Sequence, residues 1–137
     1  MAVTIQCVDY FNTTVRDRPG AAYDILSRIA AAEVNLLAFN CVPVGPELTQ
    51  LVLFPDSPRG LSRAAEEQGL ELVGPQRAFL IQGDDQLGAF AKIHQQLAQA
   101  QINVYASSGV TDGREGFGYI VYVRPEDFDR ASRVLGV

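Results

Sequence analysis

The sequence is poor in the groups that catalysis and metal binding draw on. Its 137 residues include one histidine, His94, and two cysteines, Cys7 and Cys41. The cysteines lack the close spacing of a metal or redox motif, and no motif pairs either with the histidine as nucleophile and base. A Gly-rich phosphate loop and a cluster of metal ligands are also missing. The expectation is therefore a protein with no catalytic residues, no metal and no cofactor. The cysteines are expected as free buried thiols, with a disulfide between them as the alternative.

Long apolar runs are absent as well. None approaches the roughly 20 residues that span a bilayer, so no membrane partner is expected. The segment Met1–Tyr10 has no basic stretch and carries Thr4, Gln6 and Asp9, so it does not read as a signal peptide and a cytoplasmic location is expected. Basic clusters are lacking too. The net charge is −5, which argues against a nucleic-acid partner, because phosphate binding needs Lys and Arg to displace counterions. Tyr119 and Tyr122 fall on opposite faces of one strand and make no base-stacking platform.

What the chain does have is apolar material, 47% against 20% charged residues, enough for a globular core. It also repeats itself. Shifted by 68 positions, residues 17–45 lie on residues 85–113 without a gap, and 10 of the 29 pairs are identical. Among them are Asp17/Asp85, Gly20/Gly88, Ile25/Ile93, Asn35/Asn103 and Gly45/Gly113. A repeat of this length indicates a duplicated structural unit.

Each copy reads the same way. Tyr10–Val15 and Ala78–Gln82 are strand-like. Helices are expected from about Pro19 to Glu33 and from Leu87 to Gln101, with Ala22, Ile25, Leu26 and Ile29, or Phe90, Ile93, Leu97 and Ala100, at helical spacing. Pro19 suits the first helical position. Strands Asn35–Val44 and Asn103–Thr111 turn at Gly45-Pro46 and Asp112-Gly113 into return strands Leu48–Phe54 and Phe117–Val123. Second helices open at Ser57-Pro58 and Pro125 and close at Gly69 and Gly136. A last strand, Leu70–Val73, precedes a Gly74-Pro75 turn in copy one. Copy two has no counterpart, but the same offset places Ala2–Ile5 opposite Leu70–Val73. Val3–Cys7 is therefore expected to complete the sheet of copy two.

Two βαββα(β) units with D-x-P-G (Asp17–Gly20) before the helix and Val34-Asn35-Leu36 after it resemble the ACT family. Copy two keeps Gly88 and Ile102-Asn103-Val104 but has Leu87 in place of the proline. The resemblance covers nearly the whole chain. It implies an α+β fold of two ferredoxin-like βαββαβ repeats, residues 1–74 and 75–137, with antiparallel sheets, helices on one face and strand exchange between repeats. It also implies a regulatory protein that binds an amino acid or similar metabolite at the interface between repeats, with a homodimer or a regulated protein as further partners.

The residues expected at such sites are Asp17, Arg18, Pro19, Gly20, Asn35 and Leu36 in copy one, and Asp84, Asp85, Leu87, Gly88, Asn103 and Val104 in copy two. An amino acid presents a carboxylate and an ammonium. A helix start offers N–H groups and the positive end of a dipole, the aspartates face the ammonium, and the asparagine amides offer donor and acceptor together. Each residue has a structural alternative. The aspartates could cap helices, the glycines could relieve tight packing, and the asparagines could take the left-handed conformation at a turn. His94 reads as a partly buried or interface residue. A ligand-independent protein-interaction or dimerisation module remains the alternative function.

Overall fold

Periodicity and terminal signals account for the helices of this computed structural model, which describes residues 3–84 and 86–137. In α1 (Ala21–Ala31) the residues Ala21, Ile25 and Ile29 recur every fourth position and are buried. α3 (Ala89–Gln99) buries Ile93 and Leu97 at the same spacing. α2 (Pro58–Gln68) starts with Ser57, whose hydroxyl accepts the Gly60 N–H at 3.0 Å, and ends at left-handed Gly69. The last helix, α4 (Phe128–Leu135), follows a single 3-10 turn, Pro125–Asp127, and ends at left-handed Gly136.

The strands are β1 (Val3–Arg16), β2 (Leu36–Pro43), β3 (Leu48–Pro55), β4 (Val73–Asp84), β5 (Val104–Thr111) and β6 (Gly116–Val123). α1, β2 and β3 map onto α3, β5 and β6 at the same 68-residue offset, end for end. Even the irregularities match. A register shift between Leu36 and Ala38 in β2 recurs between Val104 and Ala106 in β5. The extra residues at these bulges, Leu37 and Tyr105, are both exposed.

The chain divides into two compact units. The first spans residues 9–76; the second spans 77–137 and includes the N-terminal segment up to Val8. β1 and β4 therefore each contribute to both. In the first unit the strand order is β2-β3-β1 with the start of β4 beside β1; in the second, β4-β6-β5 with the start of β1 beside β4. All the registered pairs are antiparallel. Val3–Cys7 groups with the C-terminal unit, where Ile5 packs against the core.

Each unit has its own core between sheet and helices. In the first, Phe11, Leu51 and Leu53 of the sheet meet Ile25 and Ile29 of α1 and Leu61 of α2. In the second, Phe79, Ile81, Tyr119 and Val121 meet Ile93, Leu97, Phe128, Ala131 and Leu135. Phe79 and Phe128 stack at 4.5 Å, with the Arg77 guanidinium 4.1 Å from the Phe128 ring centre. Full burial of a side chain such as Leu61 or Leu97 stabilises the fold by about 1.5–3 kcal/mol.

Several sequence expectations are corrected. Gly74-Pro75 is not a turn: β4 runs straight through it. Gly74 has φ 144°, and a Cβ there would lie 2.8 Å from the Tyr10 carbonyl oxygen and 2.9 Å from the Phe11 ring, so the close approach of β1 and β4 excludes a side chain. Leu70–Val73 is not a strand except at Val73; Leu70 and Leu72 pack against the first core from an irregular segment. Pro19 does not begin α1, which starts two residues later. Cys7 and Cys41 are free, as one alternative held, but exposed and not buried. Cys41 lies on β2, the outermost strand of its unit.

Candidate functional site

Both loops that lead into the first helix of each unit adopt one geometry. The Ala21 N–H donates to the Arg18 carbonyl at 3.2 Å, and Gly20 has φ 85° and ψ −4°. The Ala89 N–H donates to the Gln86 carbonyl at 3.1 Å, and Gly88 has φ 80° and ψ 12°. These are type II turns, whose third position requires a positive φ. Pro19 stands at the second position, where its fixed φ pre-forms the turn; Leu87 takes that place in the other unit. Leu87 is fully exposed.

This geometry decides between the readings of the glycines. A Cβ at Gly20 or Gly88 would meet nothing within 4 Å, so tight packing is not the reason for glycine; the backbone conformation is. Asp17 is not a cap either. Gly20 and Gly88 hold the N-cap positions, and neither α1 nor α3 has a side-chain cap. Neither helix start is capped by a side chain, and the space beside Gly20 and Gly88 is open. Asp17 is exposed, with its own N–H donating to the Glu47 carbonyl at 2.9 Å, which ties the loop to the β2–β3 hairpin. Asp84 is exposed at the end of β4. Asp85 lies outside the described residues.

Asn35 and Asn103 do not join these loops within their own units. β1 ends beside the start of β3 and the end of β2, with Val15 and Pro43 both in register with Thr49. Leu36 instead pairs with Pro55, at the far end of the same strands. The 11 residues of α1 separate the two ends by about 16 Å. A site drawing on both Asp17–Gly20 and Asn35–Leu36 of one unit is therefore corrected: helix direction places them apart, and Asn103–Val104 stand likewise to Asp84–Gly88. Asn35 has a structural partner instead. Its N–H donates to Asp56 Oδ1 at 3.3 Å, and the Asp56 N–H donates to the Asn35 carbonyl at 2.8 Å.

Nor are the asparagines left-handed. That conformation belongs to Glu33 (φ 63°) and Gln101 (φ 60°), two residues earlier. Glu33 N–H bonds to Ala30 and Val34 N–H to Ile29; Gln101 and Ile102 repeat the pattern on Ala98 and Leu97. These are paired Schellman closures built without glycine.

Two features were not foreseen from the sequence. In the second unit the His94 ring Nε2 hydrogen-bonds the Tyr119 hydroxyl, and the Phe90 ring lies 4.7 Å from Tyr119. His94 is half-buried, as expected, but its partner lies 25 residues on. In the first unit, Asn12 Oδ1 is buried in β1 without a hydrogen-bond partner. A lone asparagine between Phe11 and Thr13 was the available signal.

Among the described residues no group of three or more His, Cys, Asp or Glu could hold a metal ion, and no helix is long and apolar enough to cross a membrane. No protein-family model and no curated protein sequence matches the chain. Solved structures do resemble it. A Bacteroides thetaiotaomicron protein superposes with a TM-score of 0.82 at 13% identity, over 96% of this chain and 88% of that one. The regulatory subunit of aspartate kinase from Thermus thermophilus, in a ligand-free form, gives 0.62 at 16% identity, over 98% and 94%. Its Thermus flavus counterpart gives 0.61 at 15%, over 99% and 95%. At these identities the likeness is one of fold.

Proposed function

We propose that this chain, which has the fold of an ACT-repeat protein, is a small-molecule-sensing regulatory protein that binds an amino acid or related metabolite. The observation that carries the reading is the pair of β–α loops. Each ends in a glycine-dependent turn that leaves a helix start uncapped and open. The N–H groups of Ala22 and Tyr23 suit a carboxylate, and Asp17 supplies the negative charge for an ammonium; Arg18 and Pro19 shape the loop. Leu87 and Gly88 are the equivalents of Pro19 and Gly20 in the other unit, beside Phe90 and Ala91, with Asp84 one position before the match of Asp17. Neighbouring structures that are regulatory subunits of aspartate kinase support a regulatory role. Asn35, Leu36, Asn103 and Val104 act in this reading as structural residues at the far helix ends.

The test is a thermal-shift screen of the purified protein against the twenty L-amino acids. One chemical class should raise the melting temperature in proportion to occupancy, by about 2.7 kcal/mol of stabilisation at a hundredfold excess over Kd. The shift should be lost in Asp17→Asn and retained in Asn35→Ala. No shift with any amino acid refutes the reading.

A ligand-independent interaction or dimerisation role is the second reading, favoured by the outermost strands. β2 and β5 carry no charged residue, and Leu37, Phe39 and Val42, like Tyr105 and Val110, are exposed on them. Uncharged apolar edges are templates for pairing with another chain. A dimer whose mass is insensitive to amino acids would support it.

A further inference from the structure

The sequence contains one Asp-Gly step, Asp112-Gly113, in the turn between β5 and β6. Both residues are exposed. The backbone closes as it does in the first repeat: the Asp112 N–H donates to the Gly116 carbonyl at 3.0 Å, as the Val44 N–H does to the Leu48 carbonyl at 3.0 Å. The side chain adds what the first repeat lacks. Asp112 Oδ1 accepts the Arg114 N–H at 2.6 Å and the Gly116 N–H at 3.1 Å. The 68-residue offset puts Val44 in place of Asp112, with no acceptor, and Pro46 in place of Arg114, with no N–H to satisfy. Gly116 is part of the fit. A Cβ there would stand 2.9 Å from Asp112 Oδ2 and 3.3 Å from its Cγ, so the carboxylate is folded across the loop against bare backbone.

An Asp-Gly step is open to self-modification because glycine has no side chain to shield its nitrogen and its backbone turns freely. The Gly113 nitrogen attacks Asp112 Cγ in the acid form. An N–Cγ bond forms, the Cγ–OH bond breaks, and the hydroxyl leaves as water with the Gly113 amide proton. Water then reopens the five-membered imide. Opening at the Asp112 main-chain carbonyl leaves the chain running through Cγ, as isoaspartate, with composition unchanged. The closed hairpin opposes the first step twice. Oδ1 is engaged by Arg114 and Gly116, and those N–H groups, Arg114 first, hold the carboxyl below its ordinary pKa and so in the unreactive form.

We infer that Asp112-Gly113 is a latent self-modification site, held unreacted by the two hydrogen bonds of its carboxylate and released to isoaspartate when the loop opens. The product carries an extra backbone carbon between the two residues. It loses the side-chain lock and loosens the β5–β6 hairpin of the second unit. The matching Val44-Gly45 of the first unit has no carboxyl group and cannot react.

The test follows isoaspartate with time at neutral pH, by enzymatic methylation of isoaspartyl carboxylates and peptide mapping. It compares the folded wild type, the same protein in concentrated guanidinium chloride, Gly116→Ala and Arg114→Pro. Gly116→Ala displaces the carboxylate. Arg114→Pro removes the N–H at 2.6 Å and copies Pro46 of the first repeat, so it keeps the test decisive if Gly116→Ala does not fold. The unfolded protein should react at least tenfold faster than the folded one. Each variant that keeps the wild-type circular dichroism should react at least threefold faster, with the modification mapping to residue 112. Equal rates in the folded and unfolded wild type, folded variants no faster than wild type, or modification mapping to another aspartate would each overturn the inference.

Discussion

Phe90 and Gly109 should behave as one unit in a double-mutant cycle. Gly109→Ala places a methyl group 2.9 Å from Phe90 Cζ and 3.0 Å from Tyr119 Cδ1, closer than carbon atoms approach in folded proteins. Overpacking of this kind costs about 1–3 kcal/mol, offset by about 0.5–1 kcal/mol for removing glycine from a strand. The net loss should be about 0.5–2 kcal/mol. Phe90→Ala removes a partly buried ring with two aromatic contacts, and should cost near the lower end of the roughly 3–5 kcal/mol seen for buried phenylalanine. In the double variant the contact with Phe90 is gone, the 3.0 Å contact with Tyr119 Cδ1 stays, and the strand gain remains. It should be no less stable than Phe90→Ala alone, with a coupling of about 1–3 kcal/mol favouring the pair. Urea unfolding of the four proteins, with equal m-values required for comparison, measures it. Additivity within about 0.5 kcal/mol would show that the ring does not rest on Gly109.

Other consequences are independent of ligand. Asn12→Leu, which installs the residue found at the equivalent Leu80, should stabilise the protein by about 1–2 kcal/mol, because it removes a buried oxygen without a partner; lower stability in a urea melt would mean that the amide has a partner. Glu33→Gly and Gln101→Gly should each stabilise by up to about 1 kcal/mol, since both residues hold a left-handed backbone that costs a side-chain-bearing residue about 1–2 kcal/mol; a fall in melting temperature for both would count against this. Deleting residues 1–8 should speed hydrogen exchange in 77–137 more than in 9–76, because those residues complete the second unit. Uniform acceleration would oppose that assignment. The Asp112 carboxylate accepts the N–H of Arg114 and then of Gly116, which holds its pKa below the ordinary value. A depressed carboxylate stabilises the fold above its unfolded pKa, near 4, and that stabilisation disappears as pH falls through the folded pKa. The advantage of wild type over Asp112→Asn in urea midpoint should therefore shrink below about pH 4; a constant difference from pH 7 to 3 would exclude the linkage.

Local signals served well where a local cause was at work. Ile25 and Ile29, like Ile93 and Leu97, marked helices because helical periodicity puts them on one face, and Ser57, Gly69 and Gly136 marked ends because capping involves near neighbours. They misled where a distant segment decided. Gly74-Pro75 has the composition of a turn, yet lies in a strand because β1 passes against it at Tyr10 and Phe11. Leu70–Val73 has the composition of a strand, but its leucines fill the first core from an irregular segment. Asn35 and Gly20 recur together in both copies, which made them look like one site. Recurrence reports common descent, and descent preserves a helix-end lock such as Asn35–Asp56 as faithfully as a binding loop.

The sequence alone determined the duplication and the order of elements in each repeat. Each follows from periodicity or self-similarity, which are properties of order along the chain. Tertiary structure decided which sequence-distant groups meet. It set the direction of α1, and hence which end of the helix carries the open loop. It paired His94 with Tyr119 and laid Phe90 on Gly109. Those choices depend on strand register and on the space between helix and sheet, and neither is written in any local stretch of residues.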